Sequence, residues 1–472
     1  MLRDTLIRGG HVLTMDPGLG DFPVADVHIS GDRIVAVGPS LDVPGAEVIE
    51  AAGKIVLPGL IDGHRHVWQS LLRGVASDWS FPEYMLKMRA MYGGCFDAED
   101  AYVANYLGGL ESIQAGVTSV VDHSHLQSSL AVSEGLARGL KDSGVGGVFC
   151  YALQNAPGHL DGRPVEKDAI RDLFLRAPDA WHDENAAGLR DTYFTSGPLS
   201  FGVAMPETAA YLPPEQAAAL FERARALKPA LVTGHWNAVN KPGFYMSSLG
   251  QLVQAGAFPG ATLLSHNNQL NDVDLALMAR EGLGLCTCPD TECGMGLGPL
   301  MAKRFVELGG AASLGVDITC FVQADMLKQA RLLLQVERKR AADELGKVPS
   351  EIGWPTRAVL ELLTLTGARS LGMGHEIGSL TPGKRADVIV VNPHPVLASP
   401  MTDPVATLVF YTDAADVETV LIAGQLRKHG GELLNVDHLG LQAKVRQSIH
   451  RIQKRFAELP AEDLRDVWAE IF

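Results

Sequence analysis

The feature that most constrains the fold of this chain is a regular alternation of short apolar runs with longer stretches of helical character. Eight such runs follow one another over residues 55–316, and each is separated from the next by enough chain for a helix. Repeated β–α alternation of this kind predicts an α/β fold, a closed parallel (β/α)8 barrel of the TIM type. The eight candidate strands are residues 55–61, 117–121, 147–150, 194–197, 230–233, 261–265, 282–286 and 312–316.

The two ends of the chain differ from this pattern, because they consist of short alternating segments between turn residues. Such period-two segments are typical of antiparallel strands, and they occur before residue 40 and again around residues 386–391 and 417–425. A last stretch carries apolar residues at helical spacing. We therefore expect residues 1–57 with 375–435 to form a small β-sandwich domain, residues 58–374 to form the barrel, and residues 436–472 to form a C-terminal helical extension.

The charge and hydropathy of the chain limit its partners. A formal net charge of -15 is unfavourable for binding nucleic acid or an anionic membrane, since both attract clusters of Lys and Arg. The N-terminal residues have no apolar targeting core, and no stretch reaches the roughly 18 uninterrupted apolar residues of a membrane span. We expect a cytoplasmic protein that acts on a small molecule and assembles as a homo-oligomer, a dimer or larger.

Two histidine pairs stand at the ends of the first two candidate strands. His64 and His66 follow the first, and His123 and His125 follow the second. Residues i and i+2 of a strand face the same side, so either pair can point both imidazoles into a barrel mouth. An H-x-H pair alone does not decide which is a ligand set and which is ordinary pocket polarity.

Three more potential ligands stand where later strands end, namely His235, His266 and Asp317. Active sites of this barrel type lie at the carboxyl ends of the strands, so these residues are predicted to converge at one mouth. Imidazoles with a carboxylate, and no clustered thiolates, suit a Zn2+ or Fe2+ ion that keeps a position open for water.

The chain resembles the amidohydrolase superfamily, in particular the branch of cytosine and guanine deaminases and triazine hydrolases. The resemblance covers nearly the whole chain and includes P-G-L-I-D-G-H-R-H at 58–66, T-S-V-V-D at 118–122, the strand-end ligands, and G-S-L-T-P-G-K-R-A-D-V at 378–388. It implies one metal ion bound by His64, His66, His235 and Asp317, with His266 beside the metal-bound water. Binuclear members carry a bridging lysine at the fourth strand, and no lysine stands around residues 194–200 here.

The chemistry that the resemblance implies is attack of metal-bound hydroxide on an electron-poor carbon of a nitrogen heterocycle, with Asp317 and His266 moving the proton. Release of ammonia by an aminohydrolase is the leading expectation. Hydrolysis of a cyclic amide and hydrolytic dehalogenation are alternatives, since only the leaving group differs. A non-catalytic barrel used for binding or assembly is the alternative from another class, and the filled ligand positions argue against it.

One position departs from the family. Deaminases of this branch carry a glutamate three residues after the fifth-strand histidine, where it protonates a ring nitrogen, but this chain has Ala238 there. We expect Glu292 to be the substrate-facing acid instead, while the nearby Asp290 is assigned to bracing its loop. Residues 67–74 resemble the family's substrate-binding loop, so Trp68 and Gln69 are expected to contact the substrate. Trp68 and Trp236 could stack on a flat ring, although plain packing is the alternative for both. His125 and Asn237 could add polar contacts.

Overall fold

The computed structural model describes residues 4–158, 172, 175–236, 248–258 and 260–459. Within them, eight parallel strands are hydrogen-bonded in chain order. The His66 N–H donates to the Asp317 carbonyl (2.8 Å) and the Asp317 N–H to the His64 carbonyl (2.9 Å), so the last strand joins the first and the predicted barrel is confirmed. The barrel strands are Leu60–Arg65, Val117–Ser124, Gly146–Ala152, Leu199–Ala204, Val232–Trp236, Thr262–His266, Gly284–Thr287 and Ala311–Leu314.

Helices connect these strands and surround the barrel. The α-helices are Phe81–Tyr84, Ala98–Gln114, Leu130–Ser143, Trp181–Tyr193, Pro214–Ala226, Leu249–Gln254, Asp272–Arg280, Pro289–Gly294, Ala302–Glu307, Met326–Leu345, Thr356–Leu362, Leu365–Ser370, Pro404–Tyr411 and His438–Ala457. Short 3-10 turns cover Val67–Leu71, Tyr92–Cys95, Glu207–Tyr211 and Ala414–Asp416, and Met85–Met91 is a π-helix. Among the described helices, none combines the length and the apolar character needed to cross a bilayer.

The first candidate strand is divided between two sheets. Its first half, Ile55–Pro58, pairs with the small sheet, and its second half belongs to the barrel strand Leu60–Arg65. Gly59 lies between them, where a Cβ atom would stand 2.0 Å from Thr118 Oγ1. Glycine at this position allows the close approach at which the chain passes from one sheet to the other.

The fourth barrel strand begins later in the chain than the sequence pattern predicts. Residues 194–197 precede the strand, which is Leu199–Ala204. Phe194 instead ends the preceding helix, and its ring packs beside Phe149 with centroids 5.3 Å apart. An aromatic residue followed by Thr-Ser-Gly therefore marked a helix end and a turn rather than a strand. The residues after the true strand, 205–212, contain no lysine either.

The two ends of the chain form one nine-stranded sheet beside the barrel, as the small domain was predicted to do. Its strands are Asp4–Val12, Phe22–Ser30, Arg33–Gly38, Glu47–Glu50, Ile55–Pro58, Val388–Val391, Val417–Ile422, Gln425–His429 and Glu432–Leu433. A separate apolar cluster, with Ile7 and Val27 from one end and Val388 and Leu421 from the other, lies in this domain. The domain boundaries at residues 57, 374 and 435 stay predictions.

The C-terminal helix His438–Ala457 packs against the segment that leads into the second helix of the chain. Arg451 and Arg455 both donate to the buried Asp100, at 2.5 and 2.9 Å, and the Phe456 ring stacks on Tyr92 at 3.9 Å. Asp100 is fully buried, and these two guanidinium groups offset the free-energy cost of removing its carboxylate from water. Residues 460–472 lie outside the described residues.

Removal of the Asp100 charge should loosen this helix. We expect Asp100→Asn to lower the free energy of unfolding by about 1–3 kcal/mol, because it leaves Arg451 and Arg455 without their buried partner. Urea denaturation of the variant measures the effect. Glu99→Gln is the matched control, since Glu99 is exposed and lies 3.7 Å from Arg451; equal losses from the two variants would contradict the account.

Candidate active site

The side chains of the first barrel strand alternate between the mouth of the barrel and its outer wall. His64 and His66 point into the mouth, while Arg65 points outward and donates to Ser112 Oγ (2.8 Å), to Ser70 Oγ (3.1 Å) and to Glu111. The outward guanidinium is fully buried and joins the first strand to the neighbouring helix. The alternation expected from sequence therefore places both imidazoles at one site.

Asp317, after the eighth strand, joins this pair. Its Oδ1 lies 3.4 Å from His64 Nε2 and 3.4 Å from His66 Nε2. His235 Nε2, from the fifth strand, lies 3.2 Å from His64 Nε2. Two groups with potential ligand atoms within 4.8 Å of one another share His64: one with His66 and Asp317, the other with His235 and His266.

The protonation of these groups fits a divalent cation. Burial lowers the pKa of His64, His66 and His235, so their imidazoles are neutral and have lone pairs to give. His66 Nδ1 faces the His123 carbonyl at 2.8 Å, which places its proton on Nδ1 and leaves Nε2 free as a ligand. His64 Nε2 and His235 Nε2 lie only 3.2 Å apart, and a cation bound by both nitrogens would offset the repulsion between their lone pairs.

Asp317 supplies the negative charge of the site. Burial alone would raise the pKa of this carboxyl, but the adjacent His64 and the nearby His266 and His66 lower it to about 2. Asp317 and His266 also have positive backbone φ angles, 64° and 75°, which non-glycine residues adopt at some cost. Such strained residues cluster at functional sites, and here they aim both side chains at the same point.

Glu292, the expected substrate-facing acid, has other partners within the protein. Its Oε1 accepts from the Cys288 N–H (2.7 Å) and lies 3.1 Å from His266 Nδ1, while its Oε2 accepts from Asn268 Nδ2 (2.8 Å). The carboxylate is fully buried, and both oxygens are engaged by the protein. Burial would lower the pKa of His266, but the hydrogen bond to Glu292 and the Asp317 charge outweigh it and raise the pKa. Glu292 thus orients His266 and favours its charged form.

Trp68 and Gln69 are buried behind the site rather than open to a substrate ring. Trp68 Nε1 donates to His125 Nδ1 (2.9 Å), and its ring meets Phe96 edge-on at 5.1 Å. Gln69 Nε2 donates to Tyr84 Oη at 2.7 Å. Both side chains are fully buried, so neither offers a face for stacking.

Trp236 also lies away from the mouth. It is buried with its ring 6.2 Å from Phe221 and 6.1 Å from Phe258, residues of the surrounding helices and loops. Since His235 faces the mouth, the next residue of the strand must face outward, and this parity excludes substrate stacking. Asn237, and with it Ala238, lies outside the described residues.

The second histidine pair is close to the first. The His123 ring stacks on His235 with centroids 4.2 Å apart, and the His125 ring stacks on His66 at 3.9 Å. Among the described residues, both nitrogens of His123 and the Nε2 of His125 are buried without a hydrogen-bond partner. His123 belongs to none of the compact ligand groups found among the described residues, which favours the first pair for the ligand role.

Sequence reasoning missed three side chains near the site. Tyr84 and Arg89 come from the helical segment after the first strand, and Arg89 donates to Glu207 Oε1 at 2.8 Å. Glu207 Oε1 also lies 3.8 Å from His235 Nδ1. Arg89 is in the π-helix, a geometry often found at functional sites, whereas Glu207 follows the misplaced fourth strand. A correct prediction of the end of the fourth strand would have placed Glu207 at the mouth of the barrel.

The fold and the ligand set together define the class: a metal-dependent hydrolase built on a (β/α)8 barrel. The family comparison is more specific. The model of the Amidohydrolase family matches residues 55–427, so the chain belongs to the amidohydrolase family.

Relatives with assigned names are similar over nearly their whole length. The 5-methylthioadenosine/S-adenosylhomocysteine deaminase of Desulforudis audaxviator is 26% identical over 95% of this chain and 98% of its own. The 5'-deoxyadenosine deaminase of Methanosarcina mazei is 27% identical over 98% and 99%. Among solved structures, a zinc-bound adenosine deaminase from Xanthomonas campestris has a TM-score of 0.78 at 22% identity, covering 96% of this chain and 99% of that chain. An atrazine chlorohydrolase variant from Arthrobacter aurescens, complexed with zinc and atraton, has a TM-score of 0.77 at 20% identity, covering 94% and 100%.

Proposed function

We propose that this chain is an aminohydrolase with one divalent metal ion, Zn2+ or Fe2+, that attacks an electron-poor carbon of a nitrogen heterocycle and releases ammonia. The observation that carries the proposal is the convergence of His64, His66, His235 and Asp317 beside His266. The deaminases of 5'-methylthio- and 5'-deoxyadenosine among the relatives support a purine-like substrate. A cytoplasmic location and a homo-oligomeric state stay predictions.

The four ligand side chains would hold the ion, and its chemical contribution is to lower the pKa of a water molecule from the bulk value to about 7. The ionised Asp317 accepts a proton at its carboxylate. His266 donates from Nδ1 to Glu292 and therefore presents Nε2 to the reacting atoms, where it stabilises developing negative charge and returns a proton to the leaving group.

Hydrolytic dehalogenation is the second candidate function. Ala238 replaces the glutamate that protonates a ring nitrogen in the resembling deaminases, and Glu292 is committed to His266. A site without that carboxylic acid favours leaving groups that depart without ring protonation, as halide does. The similarity to an atrazine chlorohydrolase supports keeping this candidate.

A substrate screen tests the proposal. Zinc-loaded and iron-loaded protein should release ammonia from at least one of 5'-methylthioadenosine, aminated pyrimidines and aminated triazines, and prolonged chelation should abolish that activity until metal is restored. Chlorinated counterparts, scored by chloride release, test the second candidate. Turnover that survives complete loss of metal would contradict both functions.

A further inference from the structure

Two consecutive residues after the metal-site pair, Trp68 and Gln69, each donate an N–H to another side chain near the site. Trp68 Nε1 donates to His125 Nδ1 at 2.9 Å, and Gln69 Nε2 donates to Tyr84 Oη at 2.7 Å. All four side chains are buried. The direction of these two hydrogen bonds determines what His125 and Tyr84 can offer a ligand.

The bond from Trp68 selects one tautomer of His125. An indole N–H can only donate, so the His125 Nδ1 that receives it must have a lone pair. A ring that accepts at Nδ1 is neutral and has its single proton on Nε2. That Nε2 is buried with no partner among the described residues, and a buried donor without a hydrogen bond is unfavourable. An acceptor atom on a ligand would complete it.

The bond from Gln69 acts on Tyr84 in the same way. Cys320 Sγ donates to Gln69 Oε1 at 2.9 Å, while the amide nitrogen of Gln69 faces Tyr84. Tyr84 Oη accepts from that nitrogen and keeps its own O–H for donation. Burial, together with the nearby Cys320 and Asp317, raises the pKa of Tyr84 well above its usual value, so the hydroxyl keeps its proton.

His125 lies directly beside a metal-site residue, because its ring stacks on His66 with centroids 3.9 Å apart. We propose that Trp68 and Gln69 are positioning residues that present His125 Nε2–H and Tyr84 Oη–H as neutral hydrogen-bond donors to a substrate edge carrying acceptor atoms. Ring nitrogens with free lone pairs and carbonyl oxygens are such acceptors. Neutral donors polarise the ring without giving up a proton, which suits a site with Ala238 in place of the usual acid.

The tautomer is testable without a substrate. Long-range ¹H–¹⁵N spectra of zinc-loaded protein with ¹⁵N-labelled histidine, assigned by comparison with His125→Gln, should give a protonated Nε2 and an unprotonated Nδ1 for His125. Trp68→Phe keeps an aromatic ring but lacks the N–H, so the His125 Nδ1 resonance should shift. A native protein with the His125 proton on Nδ1, or a Trp68→Phe spectrum identical to the native one, would overturn the proposal.

Substrate recognition rests on the proposed function and is tested by ligand discrimination. Apparent affinities of zinc-loaded protein for 5'-methylthioadenosine are compared with those for its 1-deaza, 3-deaza and 7-deaza analogues, each of which replaces one ring acceptor by C–H. At least one analogue should bind the native protein about 10-fold more weakly, the loss of roughly one hydrogen bond. That ratio should fall to about threefold or less in Trp68→Phe or in Gln69→Glu, whose carboxylate accepts the hydrogen bond of the Tyr84 O–H and so withdraws this donor from the substrate.

Phe96→Leu is the matched control, because it removes bulk beside Trp68 and leaves the indole N–H in place. It should keep the native ratio. Ratios unchanged in both test variants, or no binding of any of these probes, would overturn the assignment. Hydrolysis with unchanged ratios would refute this inference alone, whereas altered ratios without any hydrolysis would refute the proposed function alone.

Discussion

We expect little bound metal and no measurable turnover from each of the four ligand variants, which are His64→Ala, His66→Ala, His235→Ala and Asp317→Ala. Their ligand atoms lie close to those of His64, in two compact groups that share this residue, and removal of any one ligand would open the ion to water and weaken its affinity. Metal content by plasma mass spectrometry and turnover of the best substrate from the screen are the two measurements. This is the largest effect that the site geometry predicts.

His123→Ala is the matched control for these variants. His123 lies among the same imidazoles and stacks on His235, but it belongs to none of the ligand groups. Its replacement should leave the metal content close to that of the native protein. Loss of metal with His123→Ala, together with retention in His64→Ala, would mean that the second histidine pair binds the ion.

The second large effect is expected from His266→Ala, which should keep most of the metal and lower kcat by about two to four orders of magnitude for every substrate. Glu292→Gln should also lower kcat for every substrate, by about 10- to 100-fold, because Glu292 acts through His266 Nδ1. The double variant should have a kcat no lower than that of His266→Ala, because Glu292 acts only through the His266 imidazole that this variant already lacks.

Asp290→Asn is the control for the Glu292 variant. Asp290 lies on the same turn, but its carboxylate accepts from Gln329 Nε2 at 2.6 Å rather than from His266. We expect near-native kcat from it. Multiplicative effects of His266→Ala and Glu292→Gln, or a Glu292→Gln effect confined to substrates that need ring protonation, would restore Glu292 as a substrate-facing acid.

Most of the barrel could be predicted from sequence because its strands are apolar runs with helices between them, and strand parity alone aimed His64 and His66 at one mouth. The fourth strand could not, since Phe194 packs as a helix end although it looks like a strand residue. Because the strand was predicted at the wrong residues, Glu207, which follows the observed strand, was not recognised as a residue near the site. A local sequence pattern predicts that a strand or helix is present more reliably than it predicts the residues at which the element begins and ends.

Substrate contacts are harder to predict from sequence than metal ligands, for a physical reason. A ligand set is fixed by a few strand ends, whereas a substrate contact depends on which side chains are left exposed after packing. Trp236 could have been excluded by parity with His235, but no sequence signal showed that Trp68 donates to His125 or that Glu292 lies behind His266. Those relations join residues far apart in the chain.

The most direct measurement is anomalous diffraction at the zinc edge from crystals of the zinc-loaded protein. The account predicts a single zinc peak, at about 2.0–2.2 Å from His64 Nε2, His66 Nε2, His235 Nε2 and an Asp317 oxygen, with one position left open. A second bound zinc in the barrel mouth, or a single zinc coordinated by His123 and His125 instead, would contradict the account.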